Sequence, residues 1–317
     1  MNFLNTITLE TDLHYQNTIN EKITFSGVGI HDGKAVDINL IPADPDTGIV
    51  FKRVDLTKNN LINVNYKNIV KSRFCSKIQN DFGVSVFTVE HLMSALGSLS
   101  IDNLTIEINA PELPAMDGSA LEYTLKFLEI GKKTQNKKRK YIRIKKRLST
   151  NIGKRWIEVV PSNQLKLDIE IDYPNTIIGK DNYCYFHDEI NFVKNICLAR
   201  TFALAKDVNK LRASGFAIGG NLNNAILVDK KNIINESGLR CEKEFIKHKV
   251  LDCLGDFYLS GYQIIGSFKS FAPGHELNSE IIGEIFKSES NYEIVQLNDS
   301  DTPNVTPEIN SPNYGVA

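Results

Sequence analysis

Two side chains four residues apart open the chemical reading of this chain. His248 and Asp252 lie in Phe245-Ile-Lys-His-Lys-Val-Leu-Asp252. On a helix, residues i and i+4 share a face, so an imidazole nitrogen and a carboxylate oxygen there can hold one cation. Zinc accepts nitrogen and oxygen ligands, and a catalytic zinc has three protein ligands and one open position. A second pair, Glu90-His91, sets a carboxylate beside an imidazole, as a base stands beside a metal ligand in a zinc hydrolase. The spacing is not His-Glu-x-x-His, so a zincin is not indicated. Either pair alone is more often an exposed, solvated pair. Taken together, His91, His248 and Asp252 make a His₂Asp set with an open position, provided the segments that carry them face one another.

His275 follows Gly274 in Ala272-Pro-Gly-His275. It reads as a loop histidine just beyond a strand, where active-site groups often sit; the plain alternative is a solvent-facing side chain. Asp256, one turn beyond Asp252, is free to orient and charge a histidine. The glycine-rich run Gly215–Gly220 lacks both the dinucleotide fingerprint and the P-loop lysine. It reads as a turn that needs positive φ or close approach to a ligand. The five cysteines, Cys75, Cys184, Cys197, Cys241 and Cys253, are odd in number and form no C-x-x-C. They read as buried thiols in a reducing compartment, not as a disulfide frame or a cysteine-rich zinc site.

The elements that must position these groups repeat. Residues 22–40 read as a strand pair around Asp32-Gly33, with alternation at Val36, Ile38 and Leu40. Residues 141–160 read as a second pair turning near Gly153. Val89 to Leu99 and Phe245 to Leu259 carry apolar residues at helical spacing, and both contain Leu-Gly, at Leu96-Gly97 and Leu254-Gly255. A strand follows each helix, Leu104 to Ile108 and Gln263 to Phe268. The expected fold is therefore α+β: two similar domains from an internal duplication, each a β-sheet packed with helices, with the active site at the domain interface. The expected division is 15–134, 138–292 and a polar C-terminal tail over 293–317, with the polar stretch Gly131 to Lys140 as linker.

Bulk properties remove other classes. With 317 residues and a net charge of −1, the chain has no global field to recruit nucleic acid. The basic run through Arg147 lacks the interleaved aromatics of a base-stacking surface. No apolar run reaches the roughly 20 residues that span a bilayer, and Met1 to Leu13 lacks the basic start and apolar middle of a secretion signal. A cytoplasmic protein without stable membrane insertion, acting as a monomer, is the expectation.

Several stretches stand out in order: Ser26-Gly-Val-Gly-Ile-His-Asp-Gly33, Thr88-Val-Glu-His-Leu92, Ile101-Asp-Asn-Leu104, Ala110-Pro-Glu-Leu-Pro-Ala-Met-Asp-Gly-Ser119, Ala199-Arg-Thr-Phe202, Asn235-Glu-Ser-Gly-Leu-Arg240, His248-Lys-Val-Leu-Asp252 and Gly274-His275. Together they resemble the UDP-3-O-acyl-N-acetylglucosamine deacetylases. The likeness spans roughly residues 20 to 292 and implies the two-domain duplicated fold. It implies one zinc per chain, with ferrous iron as the alternative ion, held by His91, His248 and Asp252. Glu90 is then the general base and His275 the general acid, with Thr201 near the scissile carbonyl and Lys249 near the substrate diphosphate. Phe202 lines the same cleft. An insert around Ser214 to Leu222, with Phe216 and Gly220, forms a passage for the fatty-acyl chain, and Ile30 sits beside it. The substrate implied is a UDP-linked, acylated N-acetylglucosamine of lipid A synthesis.

The chain also departs from that family. Ala272 stands where many members have a basic residue, leaving Lys269 as a partial replacement. Cys75 falls where a thiol could approach the metal, and the segment before about Lys22 is longer than the family needs. Two rivals stay open: a zinc deacylase for a different N-acetyl sugar, and a noncatalytic zinc module that only clamps two domains.

Overall fold

The computed structural model describes residues 13–297. Met1 to Asp12 and the tail from Asn298 lie outside the described residues.

Two five-stranded sheets carry the architecture. The first runs Ile23–Val28, Ala35–Pro42, Leu104–Ile108, Ile49–Arg53, Leu61–Asn63; the second runs Leu148–Ile152, Arg155–Val160, Ser267–Phe271, Lys166–Tyr173, Gly179–Phe186. In each, only the third and fourth strands are parallel, and every other pair is antiparallel. The two sheets thus share strand order and direction, as the repeat in the sequence requires.

Before the third strand of each sheet comes a helix: α1 (Glu90–Ser98) in the first half, then, after α2 (Leu121–Ile130) and α3 (Ala205–Ala213), α4 (Glu244–Tyr258) in the second. Helix α5 (His275–Phe286) closes the second half. α4 is buried on nearly every side, its polar residues Glu244, His248, Asp252 and Asp256 included. α1 and α4 pack against each other, and each Leu-Gly marks a close approach. A Cβ at Gly97 would lie 2.7 Å from Tyr258 Cγ, and one at Gly255 would fall on the Glu90 carbonyl. One hydrophobic cluster, from Ile23 and Phe51 to Phe268 and Ile285, runs through both halves.

Four local expectations are corrected. Tyr141–Ile144 is not the first arm of the second hairpin. The turn at Gly153, with φ 62°, sets Ile152 opposite Arg155, so the arm is Leu148–Ile152. Tyr141–Ile144 instead joins a three-stranded sheet between Gln263–Ile265 and Tyr292–Val295. The strand expected over Gln263 to Phe268 breaks at Gly266, where a Cβ would meet Ile144 Cγ1 at 2.8 Å, and its two parts enter different sheets. Glu293–Val295 belongs to that third sheet and not to a tail. The stretch read as a linker also holds a strand, Lys132–Lys138, paired with Tyr15–Ile19.

Candidate active site

α4 presents His248, Asp252 and Asp256 along one stripe, and α1 presents Glu90 and His91 from its first turn. The ligand atoms of His91, His248 and Asp252 all lie within 4.8 Å of one another. His248 Nδ1 donates to the Ala199 carbonyl at 3.0 Å, which turns the Nε2 lone pair inward, 3.3 Å from Asp252 Oδ1. His91 Nε2 stands 3.8 Å from the same oxygen. Lys249 Nζ takes the other oxygen, Oδ2, at 2.9 Å. Asp252 Oδ1 is then buried with no hydrogen-bond partner among the described residues.

An orphaned carboxylate oxygen in the interior is costly. Two imidazole nitrogens aimed at that oxygen make the donor set fit a divalent cation of the zinc class. The protonation states agree. Burial lowers His248 to about 3 and also lowers His91, so both imidazoles are neutral lone-pair donors. Burial opposes ionisation of Asp252, but His248 and Lys249 outweigh it and hold the carboxyl well below the usual range. Burial likewise opposes the Lys249 charge, and Asp252 more than restores it.

Beside this set lie Glu90 and His275. Burial raises Glu90 to about 7. Its Oε1 is 3.6 Å from His275 Nε2, and its Oε2 accepts from the Ser76 backbone N–H at 3.0 Å. His275 is not in a loop: it is the first residue of α5, after an extended Gly274. Its Nδ1 donates to Asp256 Oδ2 at 3.0 Å. Burial works against the imidazolium, yet the Asp256 and Glu90 carboxylates raise His275 to about 10. Between about 7 and about 10, then, Glu90 is anionic while His275 is cationic.

Thr201 follows the Ala199 carbonyl that orients His248, and its N–H donates to Gly118 O at 2.7 Å, tying the second half to the first. The Phe202 ring lies 6.4 Å from the His248 ring, with Lys249 Nζ 5.4 Å from its centroid. Lys269 is exposed, 3.9 Å from Asp168, and Ala272 N–H donates to Glu170 O. Burial and the Glu90 charge push the Cys75 thiol up to about 12, and the clustered ligand atoms are those of His91, His248 and Asp252. All five cysteines are unpaired.

The segment Ser214 to Leu222 crosses to the first half. Ile218 N–H donates to His31 O and Gly219 N–H to Ile30 O, each at 3.1 Å. The Phe216 ring stands 4.8 Å from that of Phe74, Ile218 is exposed, and Gly220 O accepts from Arg212. The segment thus runs beside Ile30 and His31, with Phe216 against the rings of His31 and Phe74.

Sequence reasoning passed over several participants. Ser76 contacts Glu90, Asp256 and His275. Asn278 Nδ2 donates to Asp256 Oδ2 at 2.7 Å. It sits three residues after His275 at the start of a helix, a spacing that was available as a signal. Glu112 is buried and accepts from His31 N–H, Asp32 N–H and Thr88 Oγ1, fixing the loop before α1. Nothing in the neighbourhood of Ser76 in the sequence distinguishes it from any other serine.

The comparisons with known proteins agree. The LpxC family model, UDP-3-O-acyl N-acetylglycosamine deacetylase, matches residues 16–287. Proteins named UDP-3-O-acyl-N-acetylglucosamine deacetylase are similar to this chain. The one from Blochmanniella pennsylvanica is 39% identical over 291 residues, covering 91% of this chain and 98% of its own. The one from Haemophilus influenzae is 41% identical over 288 residues, covering 90% and 94%. The one from Pasteurella multocida is 40% identical over 286 residues, with the same coverage. Matched along most of its length by that family and by relatives of full length, the chain belongs to the UDP-3-O-acyl N-acetylglycosamine deacetylases.

Proposed function

We propose that this chain hydrolyses the N-acetyl group of a UDP-3-O-acyl-N-acetylglucosamine to acetate and the free amine, the committed deacetylation of lipid A biosynthesis. One zinc ion, or ferrous iron in its place, would be held by His91, His248 and Asp252. The observation that carries the reading is the pairing of a buried His₂Asp set, with one carboxylate oxygen unpartnered, and an adjoining Glu90–His275 pair whose charges suit a base and an acid.

An amide carbonyl is a poor electrophile and an amine a poor leaving group. Zinc held there would polarise the carbonyl and acidify the attacking water. Glu90 accepts the proton of that water; burial has already made it a stronger base than a solvent-exposed carboxylate. His275, kept cationic by Asp256, donates to the departing glucosamine nitrogen and stabilises negative charge on the carbonyl oxygen. Thr201 supplies a hydroxyl next to the strand that positions Phe202. Lys249 brings a buried cation toward the diphosphate and braces Asp252. The apolar corner of Ile30, Phe216 and Gly220 receives the acyl chain. The enzyme works as a cytoplasmic monomer; among the described residues no helix is long and apolar enough to cross a membrane.

A zinc site that only clamps two domains would be closed by a fourth protein ligand; this set has three. The test is acetate release from the UDP substrate by metal-loaded protein, beside a short N-acetyl sugar. Turnover of the first and not the second supports the reading. Metal binding with no acetate release would return the site to a structural role.

A further inference from the structure

We propose that Ser76 is a positioning residue of this site: its hydroxyl clamps the Asp256 carboxylate, and Asp256 in turn holds the His275 imidazole toward Glu90. The inference rests on the hydrolytic reading above and adds a residue to it.

Ser76 lies just before the strand Lys77–Gln79, in the first half of the molecule. Its backbone is pinned twice beside the start of α1. Its N–H donates to Glu90 Oε2 at 3.0 Å, and its carbonyl accepts from Thr88 N–H at 2.9 Å. With the main chain fixed, the side chain is aimed at α4, and Oγ donates to Asp256 Oδ1. Asp256 Oδ2 accepts from His275 Nδ1 at 3.0 Å and from Asn278 Nδ2 at 2.7 Å. Both carboxylate oxygens are thus engaged: Oδ1 by Ser76 from the first half, with His275 Nδ1 also 3.2 Å away, and Oδ2 by two donors from α5.

The four residues close a ring. Glu90 Oε2 meets Ser76 N–H, Ser76 Oγ meets Asp256 Oδ1, Asp256 Oδ2 meets His275 Nδ1, and His275 Nε2 faces Glu90 Oε1 at 3.6 Å. Base and acid are therefore aligned through a single serine, and across the interface between the two halves. Ser76 Oγ is also 3.3 Å from His275 Nδ1, close enough to limit rotation of the ring. Without the hydroxyl, Asp256 Oδ1 would keep only the 3.2 Å contact with His275 Nδ1, and the carboxylate could turn about its bond toward it. The Nδ1–H bond that sets the direction of Nε2 would loosen. An acid misdirected by a fraction of an ångström loses rate without losing substrate.

The test uses the full-length, metal-loaded enzyme and the UDP substrate. Ser76→Ala keeps the backbone bond to Glu90 and removes only the hydroxyl. It is expected to lower kcat about tenfold, the worth of one hydrogen bond to a charged group, with KM and metal content unchanged. Ser76→Thr, which restores the hydroxyl, is expected to stay within about threefold of wild type. In an Asp256→Ala background, adding Ser76→Ala is expected to cost nothing further, because its path to His275 is already gone. The Nδ1–H proton signal of His275, read by NMR on metal-free protein, is expected to broaden in Ser76→Ala. An equal loss with and without Asp256, an unchanged rate, a loss explained by a lower melting temperature, or an unchanged proton signal would each overturn the proposal. Wild-type protein that releases no acetate would instead remove the hydrolytic reading, and the proton signal would still report on the clamp.

Discussion

Helix α1 gives the site its first two residues, and α4 gives it a stripe from its middle. Both precede the third strand of their sheets, and both are brought close by a glycine. α1 has nine residues and starts at Glu90, after a left-handed Thr88 with φ 57°. At a helix start, adjacent side chains can both reach one cavity, so Glu90 can act as a base while His91 points to the metal set. Inside α4, fifteen residues long, only positions three or four apart share a face, so it supplies His248, Asp252 and Asp256 in steps of about one turn. The two helices also treat carboxylates differently. Burial raises Glu90 to about 7, whereas cationic neighbours, Lys249 among them, overcome burial and hold Asp252 well below the usual carboxylate range. In the proposed reading one is a base and the other a ligand because of their neighbours, not their type.

The sharpest way to break this division is to remove the α4 ligand. His248→Ala is expected to abolish binding of the divalent ion, measured by elemental analysis. It should also lower kcat/KM by at least about 10³-fold, since a Lewis acid contributes several kcal/mol. Full metal occupancy in that variant would mean that α4 does not hold the ion. Glu90→Gln should keep the metal and lose about 10²–10⁴-fold, as removal of a proton acceptor does. The pH profile of kcat/KM should be bell-shaped. Its acidic limb reports Glu90, which must be deprotonated; a bound cation draws this limb below about 7. Its basic limb reports His275, which must be protonated, and the same bound cation draws this limb below about 10. His275→Ala should remove the basic limb; an unaltered limb would assign the acid to another group.

Much of this was legible in the sequence, for physical reasons that can be named. His248-x-x-x-Asp252 has a period that a helix enforces, and the recurrence of hairpin, helix and strand mirrors two sheets of identical order. Contacts made by chain segments without periodicity were not legible. The histidine of Gly274-His275 reads as a loop residue because Pro273-Gly274 breaks the pattern, yet the same break is what lets a helix begin at His275. Gly266 reads as an interior strand residue, but it is the point where the chain leaves one sheet for another. Ser76 and Glu112 act through bonds to residues far along the chain, and no local spacing encodes such pairs.

The contact between the two helices can be tested apart from the chemistry. Gly255→Ala would place a methyl against the Glu90 carbonyl, which is backbone and cannot rotate away. Overpacking of this kind costs typically 1–3 kcal/mol, and denaturant unfolding should show a loss in that range. Gly283 in α5 is the control. It is exposed, and a Cβ there meets nothing within 4 Å. Gly283→Ala should therefore be neutral or stabilising by up to about 1 kcal/mol, from helix propensity alone. Equal effects at the two positions would mean that α1 and α4 have room between them and that the glycine approach does not set their spacing.

The smallest effect is expected where the second half reaches over the first without touching the helices. Ile218 lies on the crossing segment. Its N–H is bonded to His31 O, while its side chain is 54% exposed beside Gly33. A side chain so exposed contributes little to folding. If the corner it shares with Phe216 and Ile30 shelters an acyl chain, its value appears only when that chain is present. Each buried methylene is worth about 0.8 kcal/mol. Ile218→Ala, which removes part of one wall, should thus raise KM for the long-chain substrate by roughly 3- to 10-fold. KM for an analogue without the acyl chain should not change, nor should the melting temperature. Ala217 is less suited to the experiment: its φ of 54° is left-handed, so a bulky residue there would strain the loop whatever the loop does. Equal rises in KM for both substrates would show that the crossing segment shapes the site as a whole, and would leave the acyl chain to be sheltered elsewhere.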